Sequence, residues 1–275
     1  MLMVGQVIAA AAAVYGLLVG LLFFGQRSLM YQPGDAAGTP AAAGLIHARA
    51  VRVRTEDGLD LLSWYLAPGA GRAVVLYFHG NAGTIADRAY KARILAEQGL
   101  GVMLAEYRGY GGNPGRPTEA GLYADARANL AWLAAQGHGP EGLVIYGESL
   151  GTGVAVQAAF ELARAGTPVR GLVLESPFTS MADAAGHHYP WVPAGRLTRD
   201  RYDSKAKIAA VRAPVLVVHG AEDRTVPMSQ GRALFDLAAE PKTGVWLPGA
   251  GHADVFDHGA GEAVLGFIGG LGGGA

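Results

Sequence analysis

Leu143-Val144-Ile145-Tyr146-Gly147-Glu148-Ser149-Leu150-Gly151 is the stretch that decides how the rest of the chain is read. Four apolar residues of β type run into a G-x-S-x-G pentapeptide, and alanine-rich sequence of helical type follows from Gly151 to Ala165. A strand that turns tightly into a helix through such a pentapeptide puts its serine in a strained backbone and exposes Oγ, while the flanking glycines relieve crowding. The helix N-terminus then points free N–H groups and the positive end of its dipole at a developing oxyanion. Ser149 is thus a candidate nucleophile. In a chain with 42 glycines the bare pentapeptide also arises by chance, so its surroundings must decide.

Working outward, apolar runs alternate with helical segments. Ala73–Phe78, Gly101–Ala105, Leu143–Tyr146, Leu172–Leu174, Val215–Val218 and Val245–Leu247 read as strands, with helices expected over about 84–98, 118–135 and 151–165. Val51–Arg54 alternates, Glu56-Asp57-Gly58 supplies a turn, and Leu61–Leu66 resumes the apolar pattern, which reads as a hairpin. Near-continuous apolar strands between helices mean a mostly parallel sheet covered on both faces, and right-handed crossovers make it a doubly wound α/β domain. Ligands of such sheets sit beyond the carboxyl ends of the strands, so chemistry should follow strands directly.

From Val7 to Phe24 the sequence is uncharged and apolar, and as a helix it rises about 27 Å, close to the hydrocarbon thickness of a bilayer. No Lys or Arg precedes the run, and its small-residue block Ala9–Ala13 lies at the start rather than at a cleavage position. An uncleaved transmembrane anchor over 1–26 is the expectation, with a cleaved leader as the competitor. Arg27 after the run points to a cytoplasmic catalytic domain. Residues 27–48, rich in Pro, Gly and Ala, read as a linker; 49–271 as the catalytic domain; and 179–210 as a short lid. The absence of cysteine excludes disulfides, thiolate metal sites and a cysteine nucleophile. A formal net charge of −1 with no basic stripe argues against a nucleic-acid partner.

A serine needs a base within hydrogen-bond reach. Of the eight histidines, His252 follows the last strand in Leu247-Pro248-Gly249-Ala250-Gly251-His252, late in the chain. His258 is its nearest rival, whereas His79 and His219 each end a strand in a His-Gly pair and read as loop-shaping. For the acid that orients the base, Asp223 follows the strand Val215–Val218, and Glu175, at the end of the preceding strand, is the alternative. Capping is the bland reading of Asp223. The Leu150 amide and the Asn81 amide, with that of Ala82 next, from His79-Gly80-Asn81-Ala82-Gly83, are the expected oxyanion donors. Trp64, Trp191 and Phe178 could line an apolar pocket, with core packing as the competing reading.

Together these motifs resemble the α/β-hydrolase superfamily, and most closely its membrane-anchored abhydrolase members related to serine-aminopeptidase-type hydrolases. The resemblance is carried by Gln26-Arg27-Ser28-Leu29-Met30-Tyr31-Gln32-Pro33, the 79–83 loop, Glu106-Tyr107-Arg108-Gly109-Tyr110-Gly111 and the 147–151 pentapeptide. It continues in Glu175-Ser176-Pro177-Phe178-Thr179-Ser180, His219-Gly220-Ala221-Glu222-Asp223 with Val226-Pro227, and Gly251-His252. It implies a Ser149–His252–Asp223 triad, an acyl-enzyme, and no metal or organic cofactor. Protein depalmitoylation is not carried over, because the cysteine-rich N-terminus of some relatives is replaced here by an apolar helix.

The expected activity is hydrolysis of carboxylic esters, thioesters or lipid acyl bonds, with the membrane as partner through the N-terminal helix. An aminopeptidase is the enzyme alternative; it would need a carboxylate to hold an α-amino group. A membrane-tethered interaction module on a hydrolase scaffold is the non-enzyme alternative.

Overall fold

The computed structural model describes residues 2–272. Its centre is a single eight-stranded sheet: β1 (Arg49–Arg54), β2 (Asp60–Leu66), β3 (Val74–Phe78), β4 (Gly101–Ala105), β5 (Leu143–Glu148), β6 (Gly171–Glu175), β7 (Val215–Gly220) and β8 (Lys242–Leu247). The spatial order is β8-β7-β6-β5-β3-β4-β2-β1, with β2 antiparallel to both its neighbours and the remainder parallel. Strands β3, β4, β6 and β7 are buried at every position, which is why they read as unbroken apolar runs. Edge strand β1 is mostly exposed and carries Arg49, Arg52 and Arg54, charges that discourage pairing with another chain.

Eight helices accompany the sheet among the described residues: α1 (Leu2–Met30), α2 (Ala89–Glu97), α3 (Glu119–Ala135), α4 (Leu150–Arg164), α5 (Met181–His188), α6 (Ala194–Leu197), α7 (Met228–Leu237) and α8 (Ala260–Gly270). The period-two alternation of the strands divides the core into two layers. Leu76, Phe78, Ile145 and Leu174 pack with Leu122 of α3 and Val154 of α4 on one face. Val75, Tyr77, Tyr146 and Val218 pack with Leu95 of α2 and Val264 of α8 on the other. Strand β3 lies between β4 and β5, so the order reverses there, and the crevice beyond the carboxyl ends of β3 and β5 is the natural ligand position.

Helix α1 is long and apolar enough to cross a membrane. It runs to Met30, beyond the boundary expected at residue 26. The following stretch, expected as a linker, lies against the body: Gln32–Pro33 pairs in parallel with Ala82–Gly83, and Tyr31, Ala37 and Leu45 are buried. The 179–210 segment holds α5 and α6 and leans on α1. The Tyr15 hydroxyl donates to the Trp191 carbonyl at 2.9 Å, the Arg199 amide donates to Gln26 Oε1 at 2.7 Å, and Arg27 pairs with Asp200 at 2.7 Å.

Candidate active site

Ser149 stands between β5 and α4 with φ 50° and ψ −115°, a backbone that L-residues rarely adopt. The turn is tight enough to require its glycines. A Cβ on Gly147 would lie 2.5 Å from the Gly151 carbonyl oxygen, and one on Gly151 would lie 2.1 Å from that of Phe78. The Ser149 amide donates to the Glu175 carbonyl at 2.9 Å, which fastens the strained residue to the end of β6.

Loops after β7 and β8 bring two further side chains to it. His252 Nε2 lies 2.9 Å from Ser149 Oγ, and His252 Nδ1 lies 2.7 Å from Asp223 Oδ2. A carboxylate can only accept, so Nδ1 carries the proton and Nε2 is left to accept from the serine hydroxyl. Asp223 Oδ1 takes the amides of Thr225 and Val226, each at 2.8 Å. Burial works against its charge, but hydrogen bonds from His219 and His252 outweigh that and hold the carboxyl well below the usual carboxylate range.

His219 is the participant that the sequence did not mark out. Its side chain is fully buried, and Nε2 sits 3.2 Å from Asp223 Oδ2 and 2.8 Å from the Val226 carbonyl. The His-Gly pair does shape a loop, and it also holds Asp223. The i,i+4 spacing of His219 and Asp223 was visible, but in a loop that spacing does not specify contact.

The loop 79–83 follows β3, and Asn81 and Leu150 line the same cavity as Ser149. Leu150 is the first residue of α4, so its N–H has no intrahelical acceptor. Asn81 is fixed from three sides: its carbonyl accepts from the Gln32 amide at 2.9 Å and the Tyr110 hydroxyl at 2.8 Å, and its Nδ2 donates to the Met30 carbonyl at 3.1 Å. The 106–111 motif props this loop. Glu106 accepts from His79 Nε2 at 2.7 Å, and the Tyr107 hydroxyl donates to the His79 carbonyl at 2.9 Å.

Glu175 faces elsewhere. Both of its oxygens accept from Lys91 Nζ, at 2.7 and 2.9 Å, and the Tyr146 hydroxyl donates to it as well. Glu148, beside the serine, accepts from Lys91 at 3.1 Å, Arg88 at 2.6 Å and the Tyr77 hydroxyl. Burial opposes the Lys91 ammonium, and Glu175 and Glu148 outweigh it, raising its pKa above the ordinary lysine value. His258 is also apart from the serine, 3.6 Å from Asp254. His79 is enclosed by the 106–111 motif, and Trp64 is core. Phe178 lines the cavity, whereas Trp191 is exposed at the lid.

The cavity over Ser149 has a volume of about 260 Å³. Its walls are Phe178, lid residues such as Val192 and Leu197, and the inner side of α1. No carboxylate lines it among the described residues, and none of these contains a cluster of three metal-ligating side chains.

Residues 69–199 match the family model described as serine aminopeptidase, S33. A Mycobacterium tuberculosis protein described as uncharacterized is 45% identical over 252 residues, covering 90% of this chain and 88% of that one. The lysophosphatidylserine lipase ABHD12 of Danio rerio is 31% identical over 238 residues, covering 74% of this chain and 62% of the relative. Among solved structures, an α/β hydrolase from Vibrio vulnificus is similar with a TM-score of 0.72 at 22% identity, covering 90% of this chain and 92% of that one. A Pyrococcus furiosus esterase is similar with a TM-score of 0.70 at 19% identity, covering 88% and 98%. With the doubly wound sheet, the serine turn and these relatives in hand, the chain belongs to the α/β-hydrolase superfamily.

Proposed function

We propose that the protein is a membrane-anchored serine hydrolase of carboxylic esters, working through Ser149, His252 and Asp223. The observation that carries this is the unbroken hydrogen-bond relay from Asp223 through His252 to Ser149 Oγ, at the floor of an apolar cavity. In the first step Oγ attacks the ester carbonyl and His252 Nε2 takes its proton. The Leu150 and Asn81 amides receive the negative charge on the carbonyl oxygen. The tetrahedral adduct collapses, His252 returns the proton to the departing alcohol, and an acyl-serine remains. Water then attacks the acyl-serine with the same histidine as base, giving the carboxylic acid and free Ser149. Asp223 holds the imidazole in the tautomer this needs and stabilises the imidazolium.

Esters are favoured over peptides because none of the described residues lining the cavity is a carboxylate that could bind an α-amino group. Its apolar walls and the adjoining α1 favour a lipophilic ester. The lipase activity in the name of the Danio rerio relative points the same way. Labelling of the purified full-length protein with a fluorophosphonate probe is the test. Wild-type protein should label, and Ser149→Ala and His252→Ala should not. Labelling that survives in Ser149→Ala would sink the assignment. Aminoacyl-anilide turnover exceeding ester turnover would replace esterase with peptidase.

A further inference from the structure

We infer that α1 is more than an anchor: its inner stripe is the acyl-binding wall, and the ester's acyl chain enters the site sideways from the bilayer, between α1 and the lid. The inference rests on the ester-hydrolase reading and adds the substrate's shape and route.

The first observation is a stripe. From Met3 to Leu18 the side chains of α1 are exposed, yet Val19, Leu22, Phe23, Gln26 and Met30 are partly covered and line the cavity over Ser149. Their spacing of three and four residues places them on one side of the helix. Opposite them stand Tyr189, Val192 and Leu197 of the lid. A helix whose sole task was to cross the bilayer would not need one side built into the site.

The second observation is depth. The lid accompanies α1 as far as Tyr15, whose ring meets Trp191 edge-on at 6.4 Å. From Phe24 to Tyr15 a helix rises about 14 Å, roughly half the hydrocarbon thickness. If Val7–Phe24 crosses the bilayer, the exposed Trp191 and Tyr189 at the tip of the lid lie within it. The gap between lid and α1 then opens onto lipid, and a water-dissolved acyl chain has no part in the route.

The third observation is the tie at the inner end. The Met30 carbonyl accepts from Asn81 Nδ2, and Gln32–Pro33 pairs with Ala82–Gly83, so the last turn of α1 is fastened to the loop proposed to hold the oxyanion. The stripe thus begins beside the reacting carbonyl. From Met30 to Val19 it extends about 16 Å. An extended acyl chain of roughly thirteen or fourteen carbons spans that distance, at about 1.25 Å of advance per C–C bond, and a ten-carbon chain reaches about as far as Leu22.

The test is the ratio of kcat/KM for 4-nitrophenyl decanoate to that for the acetate, measured on full-length protein in lipid vesicles. Filling the stripe by Leu22→Trp should lower the ratio by about tenfold, the scale of losing a few methylene contacts. Leu197→Trp, which fills the same gap from the lid, should act likewise and guards against a folding defect in the first variant. Leu21→Trp, on the exposed side of α1, should leave the ratio within about twofold of wild type. Fluorophosphonate labelling is run on every variant. If the filled variants label and keep the wild-type ratio, or if Leu21→Trp lowers it equally, the α1 wall is wrong while the hydrolase reading stands. If wild-type protein fails to label, the hydrolase reading falls and this inference with it.

Discussion

The two sides of the serine turn are built on opposite plans. On the side facing the cavity, a chain of single hydrogen bonds links Asp223, His252 and Ser149, and the His252 side chain keeps 21% of its surface exposed. On the far side, Lys91, Glu148, Glu175 and Arg88 form a sunken ionic cluster in which Lys91 retains 4% exposure and Glu175 retains 2%. The first plan leaves a polar direction open toward the cavity. The second leaves none, because every charge there is met by another charge or a tyrosine hydroxyl. Strained residues such as Ser149 persist only where the surroundings over-determine them. The buried cluster supplies that constraint, since Glu148 precedes the serine and the Glu175 carbonyl holds its amide. The comparison teaches that the cavity side is free to be open because the other side is closed.

The sharpest way to break this division is on the open side. Asp223→Asn keeps an oxygen for the Thr225 and Val226 amides but turns an NH2 group toward His252 Nδ1 and His219 Nε2. The imidazole must then carry its proton on Nε2, aimed at Ser149, where it cannot act as base. We expect kcat on an ester to fall by about 10⁴ with the fold retained. A loss below tenfold, with circular dichroism unchanged, would mean that Asp223 does not orient the base.

The closed side should fail differently. Lys91→Met removes the cation shared by two nearly buried carboxylates and should cost about 3–5 kcal/mol of stability at pH 7. The pH dependence carries the sign. Burial opposes the Glu148 charge, but Lys91 and Arg88 outweigh it and keep its pKa below the ordinary value. Its contribution in wild-type protein is therefore present above an unfolded-state pKa of about 4.3 and is lost as pH falls further. Without Lys91 the folded-state Glu148 carboxylate binds a proton more readily, so the deficit against wild type should narrow as pH is lowered from 7 toward 5. Denaturant titrations at several pH values read this directly. A deficit below about 1 kcal/mol, or one that widens on acidification, would deny the cluster its supporting role.

What the sequence disclosed follows the same line. Strands buried on both faces wrote themselves as apolar runs; the serine turn and the Asp223 loop follow two such strands, and His252 lies in the loop after the half-exposed β8, all at the carboxyl end of the sheet where ligands of parallel sheets sit. Lys91 was opaque. On a helix of mixed composition it resembles any solvated lysine, and its partners Glu148 and Glu175 lie 57 and 84 residues away. His219 was seen as a loop residue because contact with Asp223 depends on how the loop after β7 folds back. The stripe on α1 was invisible for another reason. Periodicity reveals a buried face only by contrast with a polar one, and a helix apolar on all sides offers no contrast. The 27–48 stretch misled through composition, since its small residues suit a linker and equally suit close packing against a body.

The smallest effect should come from the contact between α1 and the lid. Arg27 meets Asp200 with two hydrogen bonds, at 2.7 and 3.0 Å, yet 44% of the arginine side chain remains exposed. Asp200 is itself nearly buried, with 5% of its side chain exposed, but the solvated arginine limits the pair to roughly 1 kcal/mol. In Arg27→Ala, Asp200 also keeps the Glu119 amide at 3.2 Å, so the carboxylate is not abandoned. The thermal midpoint should therefore fall by no more than about 4 °C, the shift that 1 kcal/mol produces in a domain of this size. A fall of about 10 °C would place α1 within the cooperative fold, and the contrast between a rigidly supported serine turn and a lightly held acyl wall would have to be abandoned. A fall within the expected range, together with a changed decanoate-to-acetate ratio, would instead mean that α1 is held just firmly enough to shape the site and loosely enough to let a lipid chain pass.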